Sequence, residues 1–289
     1  LRSGANYPAL VATAMPGTAL TDVSCSGAST RNTVSPQVGR TGSVPPQFDA
    51  LRPGTDLVTI GLGGNDGQLF GGVLGRCVQI AATAPAGAPC RQSFERQDPE
   101  RLDTTFAHIE RNIAAVVRGV RERSPQARVV VVGYPQIIPE SGTCELLPLA
   151  DGDYAFAREI NEGLNRAVER GADDAGADFV DLWEPTAGHD ICADEPWING
   201  RVTSVGTALA YHPLAVEQER VVDRDAGHDR VRRRHLAQRR ADGRAVALQG
   251  QRVAVQEHQV SPRARPHHRL PVDGRRQRLA HGQGLLTVP

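Results

Sequence analysis

The sequence predicts an α/β fold, a parallel sheet with helices on both faces. Three observations carry that reading. Short apolar, β-branched runs alternate with amphipathic segments of about ten residues or more, the pattern of strand–helix–strand units. Two of those segments have a strong helical stripe. The run Leu57-Val58-Thr59-Ile60 stops abruptly at Gly61-Leu62-Gly63-Gly64-Asn65-Asp66. That is the form of a buried strand delivering polar groups at its carboxyl end, the edge at which open α/β sheets bind ligands. Gly-Asn-Asp also occurs in ordinary turns, so the neighbouring segments decide what this stretch means.

Asn6-Tyr7-Pro8 opens the chain's order, with Pro8 suited to a first helical turn, and a short helix is expected to about Ala14. Thr21 to Ser29 reads as a strand running into a turn of small residues, and 31–54, with Pro36, Pro45, Pro46 and Pro53, as loop with one helical turn near Phe48. After the Leu57–Ile60 strand, residues 67–100 are rich in Gly, Ala and Pro and read as a long insertion. From Asp103, Phe106, Ile109, Ile113, Val116, Val117 and Val120 recur at steps of three and four, a helix that ends before Pro125. Val129 to Val132 is a buried strand. A second helix carries Phe156, Ile160, Leu164 and Val168, with Asp153 placed to cap its start. Phe179 to Leu182 is a short strand, and Pro213 suits the first turn of a last helix.

Periodicity stops near Val222, which divides the chain into a globular domain, 1–222, and an Arg-rich tail, 223–289. All 33 basic residues are Arg, and the net charge of zero is a balance of two unlike parts. Residues 1–220 hold 18 Arg against 27 acidic residues, and the remainder 15 against 6. The tail has no aromatic residue and no nucleic-acid-binding motif. It is expected to be disordered or the product of a reading-frame shift, and no nucleic-acid partner is expected. No run of about 18 apolar residues exists to span a membrane.

The five cysteines, Cys25, Cys77, Cys90, Cys144 and Cys192, match no zinc spacing. Several stand beside Gly, Pro or Ser in expected loops, which suggests disulfides and export. Cys77 with Cys90 and Cys144 with Cys192 are the economical pairs, each stabilising by roughly 3–4 kcal/mol through loop closure. Cys25 is then odd, a free thiol or one whose partner precedes Leu1.

Several blocks, in this order, resemble the SGNH (GDSL-type) hydrolases, and among them the secreted actinobacterial lipases and esterases. The blocks are Asn6-Tyr7-Pro8, Asp22-Val23-Ser24-Cys25-Ser26-Gly27-Ala28, the Gly61–Asp66 stretch, Cys144, His189-Asp190-Ile191-Cys192, Trp197-Ile198-Asn199-Gly200 and Tyr211-His212-Pro213. The resemblance spans about residues 1–222. It implies a three-layer α/β/α, flavodoxin-like fold. It also implies hydrolysis of small-molecule or lipid carboxylic esters through a serine acyl-enzyme, with no metal or cofactor, by a secreted protein. By position, Gly27 and Asn65 match the oxyanion donors and His212 the general base.

Two departures from the family's pattern follow. The chain contains no Gly-Asp-Ser. In the family that block lies on the first strand, ahead of the position that Leu1 matches. The resemblance therefore implies a sheet lacking its first strand and a chain that is inactive as it stands. Many members also have Asp three residues before the histidine, where this chain has Leu209. The Leu209 backbone carbonyl would then orient the imidazole. Taken singly, Gly27 could be only a turn glycine and His212 a surface histidine. The rival from another class is a catalytically dead extracellular binding module of the same fold. A monomer is expected.

Overall fold

The structure, a computed structural model, describes residues 4–15, 17–39, 42–204, 206–222 and 285–288. All of these fall in one compact unit of the chain. The expectation of disorder for the tail lies outside the described residues from 223 to 284.

Helix α1 (Tyr7–Ala14) is capped by Asn6, whose side chain accepts from the Ala9 N–H and donates to Asp22 at 2.9 Å. Strand β1 (Thr21–Asp22) leads into the Gly27 turn. Strands β2 (Gln37–Gly39) and β3 (Gly42–Val44) then make a separate two-stranded hairpin where loop was expected. Strand β4 (Leu57–Ile60) is buried along its whole length.

The expected insertion forms two helices, α2 (Leu69–Ala81) and α3 (Pro89–Gln97), joined by the expected disulfide between Cys77 and Cys90. Gly71, Gly72 and Gly75 lower helix propensity and hide the stripe of Leu69, Val73, Cys77 and Ala81, which recurs every fourth residue and packs into the core. Helix α4 (Arg101–Arg123), strand β5 (Arg128–Val132), helix α5 (Asp153–Asp174) and strand β6 (Asp178–Val180) follow as the sequence predicts. Asp153 does not cap α5. Its carboxylate accepts instead from the N–H groups of Cys90 and Arg91, both at 2.9 Å, and so caps the first turn of α3 across the fold. Among the described residues the last helix, α6, covers 215–222.

The main sheet has five strands in the order β1-β7-β4-β5-β6, where β7 is Leu285–Val288. Strands β4, β5 and β6 are parallel, with Val58 opposite Val129 and Val131 opposite Phe179. One core cluster holds Val58, Ile60, Val129 and Val131 against α4 and α5 through Ile109, Ile113, Ile160 and Leu164. The other holds Leu57, Val130, Val132 and Val180 against Val11 of α1 and Val221 of α6. Helices therefore cover both faces, as the α/β/α expectation required.

Strand β7 lies beyond the expected domain boundary at 222 and runs antiparallel between β1 and β4. Without a neighbour there, β4 would leave a row of N–H and C=O groups unpaired inside the fold, and Leu-Leu-Thr-Val is a strand-forming run. Arg-rich composition around it masked that signal.

Candidate active site

The Gly61–Asp66 turn lies at the carboxyl end of β4, and its shape is imposed from beneath. Gly63 has φ +118°, and a Cβ there would stand 3.0 Å from Val168 of α5. Gly64 donates its N–H to the buried Tyr134 hydroxyl at 2.9 Å. Burial pushes the Tyr134 phenol well above its usual range, so it stays a neutral acceptor. Tyr134 follows directly on β5, and its own N–H is held by Asn165 of α5 at 2.9 Å.

Asp66 faces the other way and closes a buried network. Its Oδ1 accepts from the Thr30 N–H at 2.8 Å, and its Oδ2 accepts from the Thr30 hydroxyl at 2.5 Å and from Asn112 at 3.0 Å. The carboxylate thus ties the segment after Gly27 to the β4 turn and to α4. Asn65 adds a second tie, donating through Nδ2 to the Ala28 carbonyl at 2.9 Å. Gly27 has φ +78°, a backbone conformation natural to glycine. It sits between Ser26, whose carbonyl accepts from Gln37 of the β2–β3 hairpin, and buried Ala28. The structure therefore brings Gly27 and Asn65 together.

His212 is positioned separately, on the loop from Trp197 to Leu214. Asn199 is the hub of this loop, donating through Nδ2 to the carbonyls of Val202, Ala208 and Leu209 at 2.9–3.0 Å. Its backbone N–H donates to the His212 carbonyl. The bridge between Ile198 and Pro213 and the bond from the Leu214 N–H to Trp197 complete the frame. Tyr211, next to His212, is held at φ +61°, strained for a residue with a Cβ. Such a kink presents the following ring away from the chain's own path.

The orienting carbonyl is not that of Leu209. His212 Nδ1 lies 2.8 Å from the Ala210 carbonyl, whereas among the described residues the Leu209 carbonyl accepts from the His212 backbone N–H and from Asn199. The positive φ at Tyr211 folds the chain so that the carbonyl two residues back, not three, meets the ring. A carbonyl only accepts, so Nδ1 carries the proton and Nε2 is left as the basic nitrogen. Among the described residues no hydrogen bond joins His212 to Gly27 or Asn65.

Cys144 and Cys192 are bonded as expected, and Cys25 is a free, half-buried thiol. The Cys144–Cys192 bridge anchors the His189 segment, in which the His189 ring stacks on Trp197 at 3.8 Å and its Nδ1 meets the Glu195 carbonyl. That places His189–Asp190 as a loop element and not a catalytic pair. A shallow cavity of about 500 Å³ beside it is lined by Ser141, His189, Asp190, Asp194 and Glu195. It includes none of Gly27, Asn65 and His212, and its acidic wall suits neither an oxyanion nor an acyl chain. Among the described residues no three His, Cys, Asp or Glu side chains are grouped to hold a metal ion, and no helix is long and apolar enough to cross a membrane.

A covered parallel sheet with a glycine turn and an amide at its carboxyl edge, and a histidine held on a separate loop, places the chain in the class of α/β hydrolase folds, and the comparisons with known proteins agree. Residues 1–216 match the family model described as GDSL-like Lipase/Acylhydrolase, and the chain belongs to that family. It is 36% identical over 233 residues to Lipase 2 of Streptomyces coelicolor, covering 77% of this chain and 75% of that one. An esterase of Streptomyces scabiei is 31% identical, over 65% of this chain and 63% of that one. Among solved structures, phospholipase A1 from Streptomyces albidoflavus superposes with a TM-score of 0.59 at 28% identity, covering 75% of this chain and 82% of that one. By family the chain is a serine-type carboxylic ester hydrolase. A non-catalytic module of the same fold is not favoured by relatives named for ester hydrolysis.

Proposed function

We propose that ester hydrolysis at this edge uses His212 Nε2 as general base, with the Gly27 N–H and the Asn65 amide as oxyanion donors. A serine hydroxyl attacks the ester carbonyl carbon, and its proton passes to Nε2. The oxyanion forms against Gly27 and Asn65, the ester C–O bond breaks, and the proton leaves with the alcohol. Water then repeats the sequence on the acyl-enzyme. The observation that supports this best is the 2.8 Å contact of Nδ1 with the Ala210 carbonyl, which makes Nδ1 the donor and Nε2 the ring nitrogen that can accept. A carbonyl gives the imidazolium less charge stabilisation than a carboxylate would.

Acyl esters, lipid or small, are the proposed substrates. Two disulfides support an oxidising, extracellular location. Since no Gly-Asp-Ser occurs in the 289 residues, the chain alone is proposed to turn over little ester. A fluorophosphonate should label none of its serines by intact mass; a labelled serine that requires His212 would identify a nucleophile and overturn this point. The roles themselves are tested in a chain extended at its N-terminus by a strand carrying Gly-Asp-Ser. Its hydrolysis of p-nitrophenyl butyrate should fall about 10²–10³-fold in Asn65→Ala, as for removal of one oxyanion donor, and disappear in His212→Ala. Unchanged rates in both variants would sink the assignment.

A further inference from the structure

The chemistry of the His212 ring turns on one peptide group, that between Ala210 and Tyr211. Its carbonyl is the oxygen 2.8 Å from His212 Nδ1. Its N–H, that of Tyr211, donates to the carbonyls of Asn199 and Gly200, both at 3.1 Å. A trans peptide is planar, with N–H and C=O pointing in opposite directions. The acceptors that hold the N–H therefore also aim the carbonyl at the ring. The peptides on either side are held as well. The Ala210 N–H donates to the Thr203 hydroxyl at 3.1 Å, and the His212 N–H to the Leu209 carbonyl at 3.2 Å.

This orientation is not the one the local backbone prefers. Tyr211 has φ +61°, in the left-handed region that is costly for a residue with a Cβ. Turning the peptide over, by joint rotation about ψ of Ala210 and φ of Tyr211, returns Tyr211 to negative φ. It also puts an N–H where the carbonyl was. Nδ1 then accepts, and its proton, exchanged through water, resides on Nε2, the nitrogen that a general base needs bare. Two orientations of one peptide thus correspond to two imidazole tautomers.

We propose that Asn199 is the positioning residue that selects between them. Its backbone carbonyl holds the Tyr211 N–H, and its backbone N–H holds the His212 carbonyl at 2.9 Å. Its side-chain amide pins both limbs of the intervening loop, through Val202 on one and Ala208 and Leu209 on the other. Asn199 acts on the imidazole only through the Ala210 carbonyl. Its consequence for ester hydrolysis rests on the role of His212 proposed above; the tautomer selection does not.

The test is nuclear magnetic resonance of the full chain with isotope-labelled histidine, reading the ring nitrogens of His212, identified by their loss in His212→Gln. The spectra are taken well above the ordinary histidine pKa of about 6.5. The parent should show a protonated Nδ1 and a bare Nε2. Asn199→Ala should shift the tautomer ratio about tenfold toward Nε2–H, as loss of one hydrogen bond does to a two-state equilibrium. Adding Tyr211→Gly to it should restore the parent ratio, because glycine takes a positive φ without strain; a general loss of loop packing is not repaired that way. Tyr211→Val, with Asn199 intact, should give the same shift, since a β-branched residue resists positive φ, and it carries the test where Asn199→Ala fails to fold. An Nε2–H parent, an unchanged ratio in either variant, or a shift that glycine does not restore overturns the proposal. A tautomer that follows Asn199, together with full hydrolysis by the N-terminally extended chain carrying His212→Ala, upholds the positioning role and overturns the base assignment instead.

Discussion

Asp66 receives three hydrogen bonds from residues 36 and 46 positions away, and all of them are buried or nearly so. Asp66→Ala strands the Thr30 N–H and hydroxyl without an acceptor, and a buried unsatisfied donor costs about 1–3 kcal/mol. We expect a loss on the order of 3 kcal/mol in urea unfolding, and about 1 for Asn112→Ala; equal, small effects would show the network to be solvated. Glu217, on α6, is buried, and its carboxylate accepts from the Gln218 amide at 2.7 Å. Burial pushes its carboxyl up to about 7, against a weaker opposing effect of that hydrogen bond. Between pH 4.5 and 7 the folded state thus holds more protons than the unfolded one, so stability falls as pH rises through that window. The penalty above pH 7 is on the order of 3 kcal/mol. Glu217→Gln should therefore match the parent near pH 4 and exceed it by a few kcal/mol at pH 8 in thermal melts; a pH-independent difference would show that the carboxyl does not titrate there. Gly27, Asn65 and His212 could be proposed from the sequence because each stands in a short local block. Thr30, Asn112 and Tyr134 were not, since their contacts depend on which loops the fold brings together. The Ala210 carbonyl was missed by one residue because a positive φ at a tyrosine leaves no mark in the sequence.

Among the elements, α4 and α5 were read from their stripes, but how closely they approach was not. At Gly171 of α5 an added Cβ would lie 2.5 Å from the Glu110 carbonyl and 2.8 Å from Ile113. In an exposed helix Gly→Ala gains up to about 1 kcal/mol. Here it forces two helices apart, and overpacking costs about 1–3 kcal/mol. We expect Gly171→Ala to lower the urea midpoint with an unchanged slope; a stabilised variant would mean the interface yields easily. The α2–α3 pair makes the opposite case, since its glycines lower helix propensity and its packing overrides them. There the Cys77–Cys90 link closes 13 residues and the Asp153 carboxylate caps α3. Its loss by Cys77→Ala with Cys90→Ala should cost about 3 kcal/mol by loop-closure entropy.

For the molecule as a whole, the sheet is closed by residues more than two hundred positions apart in sequence, Leu57–Ile60 and Leu285–Val288. Local periodicity finds strands but not their partners, which is why the covered α/β sheet was legible and the occupant of its central slot was not. That pairing has a measurable signature. Alternate residues of a central strand turn their N–H groups to opposite neighbours, so half of the β4 amides face β5 and half face β7. Thr287 lies opposite Val58 on one side and Thr21 on the other. In Thr287→Pro the β7 side of the ladder weakens while the parallel β4–β5 pairing is untouched. Hydrogen exchange should then speed at least tenfold at alternate amides of Leu57–Ile60 and at Thr21–Asp22, with Val129–Val132 unchanged. Uniform loss across β4 and β5 would show instead that the sheet opens as one unit, and that β7 holds the whole domain together.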